Sequence, residues 1–281
     1  MIWKGRRQSD NVEDQRGGIS RGGMVGGGIG TVILVLAIYL LGGDPTQVIN
    51  TIQVDTQSAG PSHQASEEEN ELAKFVSVVL ADTEDVWSDL FSQSGAVYRK
   101  PKLVLYSGMV SSACGRAGAS TGPFYCPGDE KVYIDLSFFN ELRQRFRASG
   151  DFAMAYVIAH EVGHHVQKLK GIVSQVNALR GRMDEREFNR YLVKMELQAD
   201  YFAGVWAHHV KRKDLLEEGD LEEALNAASA VGDDRIQQRS RGYVVPDSFT
   251  HGTSEQRRSW FSRGVSSGSI QGGDTFSAGE L

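Results

Sequence analysis

Residues 151–167 read Asp-Phe-Ala-Met-Ala-Tyr-Val-Ile-Ala-His-Glu-Val-Gly-His-His-Val-Gln. An apolar run of helix formers leads straight into His160-Glu161-Val162-Gly163-His164. Four residues make about one helical turn, so His160 and His164 project from one face toward a single ion. Glu161 lies beside them, where it reaches a water on that ion without taking a coordination position, the arrangement of the zinc-protease motif. Ser149 and Asp151 are candidate caps for this helix. A helix apolar nearly all round belongs in a domain interior. Two imidazoles and a carboxylate buried there need a compensating partner, and a metal supplies one. The competing reading is a satisfied core histidine pair with an incidental glutamate.

Catalytic zinc usually takes three protein ligands and keeps a fourth position open. One class of site finds its third ligand in a histidine six residues after the second, with glycine three residues after. Here those positions hold Gln167 and Lys170, which excludes that class. The other common solution is a glutamate on a later helix. Glu196-Leu197-Gln198-Ala199-Asp200 fits it, within a helical run from about Glu185 to Val210 carrying Tyr191, Leu192, Met195, Ala199, Phe202 and Trp206 at helical spacing. Glu196 and Asp200 share a face. Glu196 is placed to bind the ion, and Asp200 to accept the outer N–H of a ligating histidine and fix its tautomer. A solvated acidic face is the alternative.

Four stretches together resemble the bacterial "putative neutral zinc metallopeptidase" family. They are CGRAGASTGPFYCPGDEKVYIDLSFF (residues 114–139), HEVGHHVQ (160–167), ELQADYFAG (196–204) and HGTSEQR (251–257). The resemblance runs over about residues 71–263. It implies a gluzincin-type, zincin-like peptidase with one catalytic zinc, ligands His160, His164 and Glu196, and Glu161 as general base. HGTSEQR is also similar to a segment of membrane-bound gluzincins. By that likeness His251 assists the oxyanion, and Arg257 holds local structure or binds substrate. Gly252 stands where those enzymes often have proline.

The chain has 281 residues and a net charge of −6 with both signs interspersed. One substantial catalytic domain fits this length, and no basic nucleic-acid footprint is present. No charge occurs between Arg21 and Asp44, and Ile29–Leu41 is strongly apolar. With its glycine-rich flank this stretch is just long enough to cross a bilayer as a helix. Lys4, Arg6, Arg7, Arg16 and Arg21 precede it, and the next basic residue is Lys74. That asymmetry predicts a single-pass protein of the bacterial cell membrane, N-terminus cytoplasmic and catalytic domain extracytoplasmic. A cleaved signal peptide and a buried soluble helix are the alternatives. Cys114 and Cys126 read as a disulfide in such a compartment, with a metal-ligand pair as the alternative.

The expected organisation is a polar leader (1–21), a transmembrane anchor (22–43), a polar linker (44–70), the metallopeptidase domain (71–263) and a flexible tail (264–281). Helices are expected over residues 67–91, 137–147, 221–239 and 254–263 besides the two metal-site helices, with strands over 102–106 and 131–135. The fold class is therefore α+β and mainly helical, with a small β element. The second strand is the expected docking edge for an extended peptide. His165 points about 100° from His164, and His208 and His209 sit near a helix C-terminus, so none of the three is expected to bind zinc. The expected partners are a peptide or protein substrate and the membrane. A non-catalytic zinc-binding adaptor or chaperone, and a zinc amidase acting on cell-wall peptide, are the rival functions. Nothing in the sequence sets the oligomeric state.

Overall fold

A computed structural model describes residues 1–17 and 65–277. Six strands form: β1 (Val12–Asp14), β2 (Lys102–Tyr106), β3 (Met109–Ser112), β4 (Gly115–Gly118), β5 (Phe124–Cys126) and β6 (Lys131–Asp135). The main sheet has the order β1-β2-β6-β5; the first three strands are parallel and β5 is antiparallel to β6. Strands β3 and β4 make a separate hairpin. A disulfide between Cys114 and Cys126 ties the turn of that hairpin to β5. Closing so short a loop stabilises the fold by about 3 kcal/mol through the unfolded chain.

The helices are α1 (Glu67–Gln93), α2 (Ser137–Gln144), α3 (Asp151–Leu169), α4 (Ile172–Asn177), α5 (Glu185–Arg212), α6 (Asp220–Ala230), α7 (Asp233–Arg241) and α8 (Ser254–Ser267). Local chemistry sets their starts. Ser66 and Glu69 form a capping box on α1, Thr253 and Gln256 another on α8, and the Asp184 side chain accepts from Glu187 N–H to open α5. The expected helix over 221–239 is two helices instead. They are parted at Gly232, whose extended backbone (φ −69°, ψ 143°) caps the second helix, and where a Cβ would lie 2.4 Å from the Ser254 backbone nitrogen.

Both faces of the sheet are covered. Leu103, Leu105, Val132 and Ile134 join the main core with α1 and α3, whereas Val104, Tyr106 and Tyr133 pack with Val110, Ala117 and Cys126. This is the period-2 alternation of a strand with two apolar sides. Helix α3 runs through the centre, packed against α1, α5 and α6, with Phe152 stacked on Trp206. The observed architecture is mainly helical α+β with small sheets. Strand β6 is interior, paired on both sides, so it offers no edge to a peptide; among the described residues β1 and β5 are the edge strands, and β5 is the one beside β6.

Residues 1–17 depart from the expected leader: they belong to the domain. Val12, Glu13 and Asp14 pair with Leu103, Val104 and Leu105. Arg6 makes two bonds to Asp82 at 2.5 and 2.7 Å, and Arg16 is buried against Asp14 and the Glu69 carbonyl. The Met1 amino group lies among Asp151, Glu217 and Asp220. The shared sheet makes residues 1–17 part of the same folded unit as the domain. The expected anchor, residues 22–43, lies outside the described residues, as does most of the expected linker. Among the described residues no helix is long and apolar enough to cross a membrane.

The expected tail is also largely part of the fold. Helix α8 continues to Ser267, and a 3-10 turn at Gln271–Gly273 follows. Helix α8 lies so close to α5 that a Cβ on Gly204 would sit 2.1 Å from the Phe261 carbonyl oxygen, and one on Gly264 2.0 Å from that of Tyr201. Gly204→Ala and Gly264→Ala are each expected to destabilise by about 1–3 kcal/mol or more, the range for overpacking. A fall in the urea midpoint at unchanged slope checks this.

Candidate metal centre

Two helices bring the three expected ligands together. His160 and His164 lie one turn apart on α3, with ring centroids 4.8 Å apart and planes nearly perpendicular. Glu196 approaches from α5: Oε2 is 3.2 Å from His160 Nε2, and Oε1 is 3.4 Å from His164 Nε2. The ligand atoms of all three lie within 4.8 Å of one another. Gly163 makes the approach possible. A Cβ at that position would fall 2.9 Å from the Ala199 carbonyl oxygen and 3.1 Å from its Cα, so any side chain there would push α5 away.

Behind the imidazoles, each outer nitrogen has a partner. His160 Nδ1 is 2.8 Å from Asp200 Oδ1, and His164 Nδ1 is 2.9 Å from Gln167 Oε1. Both Nε2 atoms therefore face Glu196. Two imidazole nitrogens and a carboxylate oxygen, with their outer nitrogens engaged, form a donor set that suits zinc. Asp200 is fully buried and needs its own compensation. Arg257 supplies it from α8, donating from Nε to Oδ2 at 2.8 Å and from Nη2 to Oδ1 at 3.0 Å. Its Nη1 donates to the Val231 carbonyl. Of the two expected uses of Arg257, holding local structure is the one these contacts express.

Tyr156 completes this layer, donating from its hydroxyl to Asp200 Oδ1 at 2.5 Å. Neither Tyr156 nor Gln167 was singled out from the sequence as part of the site. The signal was present: Tyr156 is four residues before His160 and Gln167 three after His164, the spacings that share a helix face.

Electrostatics follow from burial and partners. Burial disfavours the His160 imidazolium, but the Asp200 and Glu196 carboxylates override it and raise the pKa to about 10. Burial likewise opposes charge on Glu196 and Asp200. The two histidines hold Glu196 well below the usual carboxylate range, and Arg257 and His160 lower Asp200. Glu161 moves the other way: burial raises its pKa, with His160 and His164 pulling it down. A carboxyl tuned upward is suited to taking and returning protons near neutrality.

The site opens into a cleft of about 660 Å³, lined among others by Phe124, Tyr125, Phe138, Val157 and Leu192. His251 lines it as well and is half-exposed. Its Nδ1 lies 3.2 Å from Asp233 Oδ1, while Asp233 Oδ2 accepts from the backbone N–H groups of Thr250, His251 and Gly252. Gly252 takes a left-handed φ of 89°, a conformation closed to the proline that membrane-bound gluzincins often have there. The other histidines among the described residues lie apart from the candidate ligand set. His165 is held by Tyr125 and the Arg99 carbonyl, and His208 and His209 by the carbonyls of Val265 and Gly268.

The sequence profile of the family described as "Putative neutral zinc metallopeptidase" matches residues 1–276, and zinc is the metal that family implies. The uncharacterized protein YpfJ of Escherichia coli is 53% identical over 285 residues, covering 98% of this chain and 99% of its own. The uncharacterized protein Rv2575 of Mycobacterium tuberculosis is 39% identical over 260 residues, 86% of each chain. No solved structure matches.

A His160 pKa of about 10 means that the metal-free site is protonated at neutral pH, whereas a metal ligand must be neutral. Zinc binding at pH 7 is expected to release at least one proton, and the affinity is expected to rise with pH until His160 is neutral without metal. Calorimetry in two buffers of different ionisation enthalpy measures the proton count.

Proposed function

The chain belongs to the "putative neutral zinc metallopeptidase" family, and from that premise we propose that it is a zinc-dependent peptidase acting on envelope or exported proteins. The observation that carries the reading is the convergence of His160, His164 and Glu196 at the floor of an open cleft, with Glu161 beside them. Among the described residues the site gathers three protein donors rather than four, the ligand number of a catalytic centre, because a structural zinc is normally closed by a fourth. This argues against the non-catalytic adaptor.

Zinc bound by these residues would supply a Lewis acid that activates water near neutral pH. Glu161 takes the proton from the attacking water and returns it to the leaving amine. Asp200 and Gln167 hold the two imidazoles by their outer nitrogens, so that Nε2 of each faces Glu196 and would be free to ligate zinc. Asp233 engages His251 through Nδ1, and the imidazolium form then has a proton on Nε2 to donate to the carbonyl oxygen as negative charge develops there. Asp233 also keeps that imidazole more basic than an ordinary histidine, against the effect of burial.

The substrate on this reading is an extended peptide. Edge strand β5 carries Phe124 and Tyr125 to the cleft and among the described residues has one side unpaired in the sheet, so a peptide can add to it as a further strand. The apolar lining then receives side chains. A sheet edge alongside the metal-binding helix is also what supports a zincin-like domain. The Cys114–Cys126 disulfide supports an oxidising, extracytoplasmic site of action, and with β1 in the sheet residues 1–17 share that compartment.

Glu161→Gln is expected to retain zinc while hydrolysing a casein-type protein about 10²–10⁴-fold more slowly, the range for losing a general base. Metal content and proteolysis are measured on the same preparation. A zinc-loaded parent that leaves proteins intact but opens peptidoglycan fragments would make the enzyme an amidase. Full function in Glu161→Gln would remove hydrolysis from the account.

A further inference from the structure

We propose that Gln167, Gln198 and the C-terminal segment 268–276 form a buried relay that positions His164 for the metal. The inference rests on the zinc reading above and adds a part to it: a ligand geometry set from the far end of the chain.

The relay is a chain of hydrogen bonds. Gln167 Nε2 donates to the Met195 carbonyl at 2.7 Å and to Gln198 Oε1 at 3.1 Å. Gln198 Nε2 donates to the Gly273 carbonyl at 2.6 Å. Gln167 is fully buried and Gln198 is 4% exposed, so water does not compete for these groups.

Two backbone carbonyls give the relay its direction. A carbonyl only accepts, so the amide NH₂ of Gln198 must face Gly273 and its oxygen must face Gln167. Gln167 likewise turns its NH₂ toward Met195 and Gln198, which leaves Oε1 for His164. His164 Nδ1 must then be the donor in the 2.9 Å contact, and the neutral ring is left with its lone pair on Nε2, the nitrogen that faces Glu196. The tautomer a ligand needs is thus fixed by groups that cannot reverse.

The C-terminal segment is fastened on both sides of Gly273. Tyr201 donates to the Ser269 carbonyl at 2.7 Å, buried Thr275 donates to the Lys194 carbonyl at 2.6 Å, and Lys194 Nζ donates to the Phe276 carbonyl. Phe276 packs on the cluster of Val176, Phe188 and Leu192. Gly273 lies so near Tyr201 that a Cβ would fall 2.6 Å from its ring.

The test uses the full chain, Gln198→Met, a chain ending at Ser267, and the combination of the two. Zinc affinity is read by competition with a chromophoric chelator, and ligand geometry by the visible spectrum of the cobalt-substituted protein. Unfolding of the metal-free forms by urea establishes that each is folded. Gln198→Met is expected to weaken zinc binding about 10–100-fold, the usual effect of removing an outer partner of a ligand, and to alter the cobalt spectrum. Adding the truncation to Gln198→Met is expected to weaken binding little further, since both break one chain. Should the truncated chain not fold, Thr275→Val loosens the same segment and is expected to act in the same direction. A folded Gln198→Met with parental affinity and spectrum overturns the relay while leaving the metal centre intact. A parent that takes up no zinc overturns the peptidase reading and this inference together.

Discussion

The contact on which the site depends is the close approach of α3 to α5 at Gly163 and Ala199. With hydrogen in place of a side chain, the two helix backbones come near enough for a Cβ to be 2.9 Å from a carbonyl oxygen. That spacing lets a glutamate on one helix reach two imidazoles on the other. Interiors packed as densely as proteins transmit such a displacement instead of absorbing it. A larger residue at 163 would move the ligand with the helix. The glycine inside the motif is therefore as much a part of the candidate metal centre as the histidines.

Around that contact the protein spends polar groups in layers. His160 has Asp200 behind it, and Asp200 has Arg257 and Tyr156. His164 has Gln167. The fully buried Asp200 carboxylate is matched by the Arg257 guanidinium through two hydrogen bonds, as burial requires. The third side of α5 is held by α8, where Gly204 and Gly264 permit a second backbone approach. Arg257 reaches Asp200 because α8 lies that close. Two glycine contacts, one on each side of α5, thus place the ligand and its counter-charge from opposite directions.

The ends of the described chain meet the same framework. β1 extends the sheet beside β2, and the segment after α8 packs along α5. Length and composition suggested a core flanked by appendages, since both ends are rich in glycine and polar residues. Their contribution lies in backbone hydrogen bonds and a few buried side chains such as Arg16 and Thr275. Hydropathy does not register such contacts.

What the sequence alone determined is local. Four-residue spacing on a helix put His160 with His164 and Glu196 with Asp200, because 3.6 residues per turn fix who shares a face. Apolar periodicity located α1 and α5, an apolar run of helix formers located α3, and the alternation of β6 was legible as strand. What only the tertiary structure decided is which faces meet. Glu196 joining the imidazoles, Arg257 closing on Asp200, β5 rather than β6 at the sheet edge, and residues 1–17 entering the sheet all depend on long-range pairing. Such pairing is set by summed packing over the whole core, and no window of sequence contains both partners.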